Sequence, residues 1–91
     1  MELYRYYFIL YLTDTDNKIT FISNTDPLLY TTDINNSKLY ETEVNVDNDI
    51  LQYYERINEL IKNTNINNFY KGYIRKDNRD NIEIIESYTV I

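Results

Sequence analysis

The strongest structural signal in this chain is the segment LYRYYFILYLT, residues 3–13. Every second residue from Tyr4 to Leu12 is apolar, and these side chains would share one face of an extended strand. The positions between them make a mixed face that includes one arginine. We therefore predict a β-strand. The segment is too short for a membrane span and no small-residue cleavage site follows it, so we expect neither a membrane anchor nor a signal peptide.

A hairpin is predicted directly after this strand. Residues 14–17 read DTDN, a composition that favours a turn, and residues 18–24 have the composition of a second strand. A register that opposes Thr13 to Lys18 keeps the apolar residues of both strands on matching faces. Residues 24–27 are then expected to form a loop.

The middle of the chain carries a weaker pattern. Residues 28–32 and 38–44 are predicted to form a second hairpin around Asn35 and Asn36, because asparagine tolerates the positive φ of a tight turn. Two glutamates would share a face with Leu39, so a short or edge hairpin is expected.

A helix is predicted between a cap at Asp47 or Asn48 and a stop at residues 63–65, NTN. Apolar residues recur between them at three- and four-residue spacing, which makes a stripe wide enough to pack on a sheet. The stripe consists of Ile50, Tyr53, Tyr54, Ile57, Leu60 and Ile61.

The end of the chain, residues 69–76 and 82–90, is predicted to form a last hairpin with Ile74 opposite Ile85. The resulting order, ββ(ββ)αββ, indicates an α+β fold in which about four to six antiparallel strands carry one helix on a face. Since 91 residues leave room for one modest core, residues 1–91 are expected to form a single compact domain.

The composition excludes most catalytic chemistry. The chain has no His and no Cys, so it lacks the commonest general base near neutral pH, the best nucleophile and the usual transition-metal ligands. A calcium loop beginning at Asp14 fails, because Lys18 takes a ligand position and Ile19 replaces the turn glycine. One glycine cannot build a phosphate loop. We therefore expect no enzyme activity, no metal and no cofactor.

Charge and tyrosine content favour a binding role. The net charge is −6, and residues 13–60 alone carry ten acidic against three basic residues. Many of these carboxylates fall in predicted loops, where they would project into solvent. Eleven tyrosines exceed what a small core can satisfy, and exposed tyrosine is enriched at protein interfaces. The residues predicted to bind a partner are Asp14, Asp16, Asp26, Asp33, Glu41, Glu43, Asp47, Asp49, Tyr11, Tyr30 and Tyr40.

The leading hypothesis is a small acidic protein-binding module without enzyme activity, which occludes a basic or nucleic-acid-binding surface of a target protein. In size, charge and composition the chain resembles small acidic inhibitors of host defence nucleases, anti-CRISPR proteins included. The wealth of Ile, Asn and Tyr is typical of an AT-rich genome, which fits a phage or virus. Such a protein would act in the cytoplasm of the host cell.

Two alternatives remain open at the level of sequence. One is a homo-oligomeric structural or accessory protein, a homodimer for example, that pairs through edge strands and a tyrosine-rich face. The other is a single-strand RNA binder, although a net charge of −6 disfavours nucleic acid. It would use the basic and aromatic residues of one strand: Tyr70, Lys71, Tyr73, Arg75 and Lys76.

Overall fold

The computed structural model describes residues 3–90, which form a five-stranded antiparallel sheet with one long helix on one face. This arrangement confirms the α+β fold. None of these residues belongs to a helix that combines the length and apolar character needed to cross a membrane. The elements are β1 (Arg5–Asp14), β2 (Ile19–Thr25), β3 (Leu28–Thr31), a 3-10 turn (Ile34–Asn36), α1 (Glu43–Asn63), β4 (Ile66–Lys76) and β5 (Ile82–Thr89).

The predicted first strand is the centre of the sheet, whose order is β3-β2-β1-β4-β5. Strand β1 pairs with β4 along its whole length, from Arg5 opposite Lys76 to Asp14 opposite Ile66. It pairs with β2 only near its C-terminal end. The N-terminal half of β1 therefore leaves room beside it, and a single bridge from Phe8 to Tyr40 fills this space.

Helix α1 covers one side of the sheet, which we call the helix face. The main core lies between them, because the alternating positions of β1 and β4 meet the apolar stripe of the helix here. Tyr54, one of the residues predicted for that stripe, is instead 40% exposed. The buried core residues are Leu10, Leu12, Ile22, Tyr40, Val46, Ile57 and Phe69.

The other side of the sheet, the open face, carries a smaller core of Ile9, Tyr11, Phe21 and Ile74. The ring of Tyr11 lies over Gly72, and a Cβ atom at that glycine would be only 3.0 Å from Cε1 of the tyrosine. The single glycine of the chain thus makes room for an aromatic ring.

The register predicted for the first hairpin is wrong by one residue, because Thr13 pairs with Ile19 rather than with Lys18. The turn explains the difference. Asn17 adopts a left-handed conformation with φ 61° and ends a three-residue loop. A carboxylate oxygen of Asp14 accepts the N–H groups of Asp16 and Lys18, which fixes this loop. The predicted register instead left four residues, 14–17, between the paired Thr13 and Lys18.

The last hairpin uses the same turn, with Asp77 in the role of Asp14 and a left-handed Asp80 with φ 63°. Ile74 lies opposite Ile84 rather than the predicted Ile85. A β-bulge after Tyr73 then shifts the pairing by one residue. Beyond the bulge the register equals the predicted one.

The hairpin predicted over residues 28–44 does not form. Strand β3 pairs with β2 instead, through a turn at Asp26 and Pro27 whose peptide bond is cis. Asn35 and Asn36 belong to the 3-10 turn rather than to a hairpin loop. The weak alternation after residue 37 reflects a connection that makes only one bridge before the helix begins.

The N-cap of helix α1 lies five residues before Asp47 and six before Asn48, the two predicted caps. Thr42 is the actual N-cap, and its side-chain oxygen accepts the N–H of Asn45. Val46, a residue with higher strand than helix propensity, is fully buried in the main core. Tertiary packing thus extends the helix over a segment whose local propensity points elsewhere.

Candidate functional site

Strands β1 and β4 extend past the N-terminal end of the helix, and this uncovered part of the helix face forms a groove. The first helical residue, Glu43, lies above Lys71 of β4, with an Nζ–Oε2 distance of 3.1 Å. Strand β4 continues beyond this point, so the next two residues on the same face, Tyr73 and Arg75, extend past the helix. Their neighbours on β1 and β5 are uncovered for the same reason.

This aromatic groove has a volume of about 380 Å³ and is open to solvent. It runs between the start of the helix and strand β5. Its lining consists of Tyr6, Phe8, Glu41, Thr42, Glu43, Tyr73, Ile85, Glu86 and Tyr88.

Aromatic rings form the floor of the groove. Tyr73 stacks on Tyr6 with ring centroids 5.7 Å apart, and its ring is tilted against Phe8 at 5.0 Å. Tyr6 is 47% exposed and Tyr88 is 44% exposed. Large ring surfaces that remain open in a folded chain are suited to contact with a partner.

Lys71 closes the inner end of the groove. Its ammonium group pairs with Asp47 at 2.9 Å and with Glu43, and it lies 5.6–5.8 Å from the ring centroids of Tyr88 and Phe8. Burial alone would lower the pKa of Lys71, but the hydrogen bonds and charges of the two carboxylates outweigh burial and raise it. The inner groove therefore already stabilises a cation.

Two carboxylates at the rim are available to a ligand. Within residues 3–90, neither Glu41 nor Glu86 takes part in an ion pair, and both are exposed. Glu86 accepts a hydrogen bond from the hydroxyl of Tyr88. Five carboxylates and two cations stand in or beside the groove, which leaves a negative local charge: Glu41, Glu43, Asp47, Glu83 and Glu86 against Lys71 and Arg75.

A second polar cluster has Asp49 at its centre. One oxygen of its carboxylate accepts from Nζ of Lys38 at 2.8 Å, from the hydroxyl of Tyr40 at 2.6 Å and from Thr25 at 3.1 Å. These four residues come from α1, β2 and the connection between the 3-10 turn and the helix. The cluster therefore fastens three parts of the chain together.

The ionisation of this cluster matches a structural role. Burial by itself would raise the pKa of Asp49, but hydrogen bonds from Lys38, Tyr40 and Thr25 outweigh it and hold the pKa below its ordinary value. The pKa of Tyr40 is raised far above its ordinary value, first by burial and then by its bond to Asp49. Neither group is poised to exchange a proton near neutral pH.

The structure brings three of the predicted partner-binding residues together. Glu41 and Glu43 line the aromatic groove, and Asp47 lies one helical turn further on, bound to Lys71. Glu41 and Glu43 come from a segment that was predicted as strand, and Asp47 was predicted as a cap of the helix. The early start of the helix is what places them on one surface.

The other predicted carboxylates are dispersed. Asp14 is engaged in its own turn, with Asp16 exposed beside it. Asp26 is exposed in the turn between β2 and β3. Asp33 caps the 3-10 turn by accepting the N–H of Asn35. These acids form no common surface with the groove.

Three of the predicted residues are not available at the surface as expected. Tyr11 is 6% exposed and Tyr40 is 5% exposed, because both belong to the two cores. The carboxylate of Asp49 was expected to project into solvent, yet its side chain is 19% exposed and holds three donors. Tyr30, on the edge strand β3, is 42% exposed.

Of the groove residues on β1, β4 and β5, only Tyr73 belonged to a predicted site, the RNA-binding alternative. Tyr6 and Tyr73 sit on adjacent strands of one face, and Tyr88 and Glu86 follow on β5. The sequence carries no local signal for the others, because the strand ends that stay uncovered depend on where the helix lies along the sheet.

The basic residues of β4 do not form a free basic surface. Lys71 pairs with two carboxylates of the helix, and Arg75 pairs with Glu83 at 2.7 Å. Tyr70 lies on the open face and Tyr73 on the helix face, since they are three residues apart on a strand. The residues of the RNA-binding alternative are thus divided between the two faces, with Lys71 and Arg75 beside Tyr73 on the helix face and Lys76 beside Tyr70 on the open face.

Metal ligands do not cluster in the described part of the chain, where no three His, Cys, Asp or Glu residues could hold an ion together. The aromatic groove, which combines exposed rings with carboxylates, is the candidate site. Comparison of the chain with models of protein families, with curated proteins and with solved structures gave no match.

Proposed function

We propose that this protein is a small, non-enzymatic protein-binding module that docks on a basic surface of a target protein. The observation that carries this proposal is the aromatic groove, where exposed rings meet a rim of carboxylates. Ring surface supplies contact area, and the carboxylates select a partner of opposite charge.

The polar clusters support a binding role over catalysis. Asp49 is held ionised by three donors, and Lys71 is held protonated by two carboxylates. Both clusters are ion-paired networks that join separate elements. A general acid or base would need a pKa near the working pH and a partner left free to react.

The target class that we favour is a nucleic-acid-binding protein of a host cell, with the present chain encoded by a phage or another virus. A net charge of −6 lets the module compete with a polyanion for a basic groove. The abundance of Ile, Asn and Tyr, whose codons are AT-rich, is consistent with such a source.

Capture of a target from the lysate of the source cell tests this function. We expect the wild-type protein to retain a basic protein, which is released by an excess of nucleic acid. Glu41→Lys/Glu86→Lys should lose this protein, whereas the matched control Glu55→Lys/Glu59→Lys on the exposed helix should keep it. Equal retention by the two variants would contradict the proposal.

A homodimer is the second candidate, and the open face favours it. Only part of this face is covered, by Ile34 and Leu39 from the connection before the helix. Tyr7, Tyr70 and Ile82 remain half-buried there. Light scattering over a range of protein concentrations decides the question, because a mass that stays monomeric at the highest concentration removes this candidate.

A further inference from the structure

We propose that the aromatic groove is the binding site for one arginine side chain of the partner protein. This inference rests on the proposed function, since it names the group on the basic target that the groove receives. The chain itself places exposed rings, carboxylates and two cations at this end of the sheet.

A guanidinium group needs two things at once, an aromatic face on which to stack and a carboxylate within reach of its N–H donors. The groove offers both. The rings of Tyr6 and Tyr88 are nearly half exposed, and Glu86 and Glu41 stand at the rim without an ion pair in residues 3–90. A stacked arginine would neutralise one or both of these carboxylates.

The chain already makes this arrangement once, next to the groove. The guanidinium carbon of Arg75 lies 4.6 Å from the ring centroid of Tyr4. The same group pairs with Glu83 through Nε at 2.8 Å and through a terminal nitrogen at 2.7 Å. Tyr73 and Arg75 are successive residues on one face of β4, so the groove lies directly beside this arrangement. The groove has the same combination of rings and carboxylates but contains no arginine of its own.

Arginine fits better than lysine for a physical reason. The inner end of the groove, where carboxylates converge on a point, is taken by the ammonium group of Lys71. The remaining space of about 380 Å³ is broad and ring-lined. A flat, weakly hydrated guanidinium can stack there, while an ammonium ion would keep more of its water.

The geometry of the sheet favours an arginine carried by a protein. Strand β5 is the last strand of the sheet, so the groove opens beyond the sheet edge. A partner chain can reach Ile85 and Tyr88 from this side without displacing any strand. The apolar side chain of Ile85, 42% exposed, offers contact to residues that flank the arginine.

Titration of the ¹⁵N-labelled full chain with three capped peptides tests the inference by NMR. The peptides are identical except for a central arginine, lysine or citrulline, and citrulline keeps the planar shape without the charge. We expect the arginine peptide to shift the amides of residues 41–43, 73 and 85–88. The lysine peptide should bind more weakly, and the citrulline peptide should bind at least about tenfold more weakly.

Variants locate the binding. Glu41→Gln/Glu86→Gln and Tyr88→Ala should each weaken the arginine peptide by about tenfold, whereas Tyr88→Phe should retain the ring contact. Glu55→Gln/Glu59→Gln and Tyr54→Ala are the matched exposed controls and should bind as the wild type. The dispersion of each ¹⁵N spectrum shows whether the variant is folded.

Three results would contradict the proposed arginine-binding site. They are equal binding of the citrulline peptide, shifts that map outside the groove, and no binding at about 20 mM peptide, weaker than any specific contact would give. If the arginine peptide does not bind but the Glu41→Lys/Glu86→Lys variant still loses its target from the lysate, the docking function stands without an arginine-binding site. If both fail, the acidic groove is not the binding surface.

Discussion

At the scale of single residues, the absence of a side chain at Gly72 leaves the space that the ring of Tyr11 occupies. Replacement by alanine would place Cβ 3.0 Å from Cε1 of Tyr11 and 3.2 Å from Cγ1 of Ile9. Tyr11 cannot retreat, because its ring is also stacked on Tyr70 at 5.1 Å. We predict that Gly72→Ala lowers the free energy of unfolding by about 1–3 kcal/mol, measured by urea denaturation.

A double-mutant cycle identifies the cause of this loss. In a Tyr11→Leu background the ring is gone, so Gly72→Ala should cost clearly less than in the wild type. The same cost in both backgrounds would show that the strain comes from the contact with Ile9 and not from the ring.

Asp49 gives a second prediction at this scale, with a defined pH dependence. Asp49→Asn removes the charge that holds Lys38 and Tyr40, and should lower the free energy of unfolding by about 2 kcal/mol at pH 7. The folded-state pKa is depressed, so this contribution is complete above the unfolded carboxyl pKa of about 4. It is lost as the pH falls through the lower folded-state pKa.

Unfolding of wild type and Asp49→Asn should therefore be compared from neutral to strongly acidic pH. We expect the difference in the free energy of unfolding between the two proteins to become smaller below about pH 4. Asp26→Asn is the control, because Asp26 is an exposed turn residue that no ion pair in the described chain involves. If the loss of unfolding free energy in Asp49→Asn did not change with pH, the ionised carboxylate of Asp49 would not be the source of the stabilisation.

At the scale of elements, the two three-residue turns set the registers of both long hairpins. Asn17 and Asp80 occupy left-handed positions in them, with φ 61° and 63°. Alanine is disfavoured there, while glycine is not, so Asn17→Ala and Asp80→Ala should each cost about 1 kcal/mol and the glycine variants less. Thermal unfolding measures this, and Asp16→Ala in the same loop should be nearly neutral.

The elements also show which features a sequence can predict. Strand β1 and the end of the helix were predicted closely, because long periodic patterns and polar stops are local signals. The start of the helix was missed, since the burial of Val46 is a tertiary effect. The first register was missed because it depends on the backbone of Asn17.

The candidate site was predictable only in part, for a related reason. Glu41, Glu43 and Asp47 were found from charge, but their common surface depends on a helix that begins at Glu43. The aromatic half of the groove depends on which strand ends the helix leaves uncovered. Burial of Tyr11 and Tyr40 depends on packing across the sheet, which composition does not contain.

At the scale of the whole molecule, the net charge of −6 is spread well beyond the groove. Asp16 lies in the turn beyond the far end of β1, and the six residues of strand from Phe8 to Asp14 alone span about 20 Å. Glu55 is twelve residues along α1 from Glu43, or about 18 Å. At physiological salt the Debye length is about 8 Å, so these charges are screened from a ligand in the groove.

The distant acids should therefore affect how fast a basic ligand arrives and not how long it stays. Asp16→Lys/Glu55→Lys/Glu59→Lys brings the net charge to zero while leaving the groove intact. We predict that it slows association of the arginine peptide about threefold or more at low salt, that the difference vanishes near 0.5 M salt, and that dissociation is unchanged. Glu41→Lys/Glu86→Lys should instead speed dissociation at every salt concentration, because it changes the contact itself. NMR line shapes give both rates, and faster dissociation from the triple variant would mean that the groove does not bind alone.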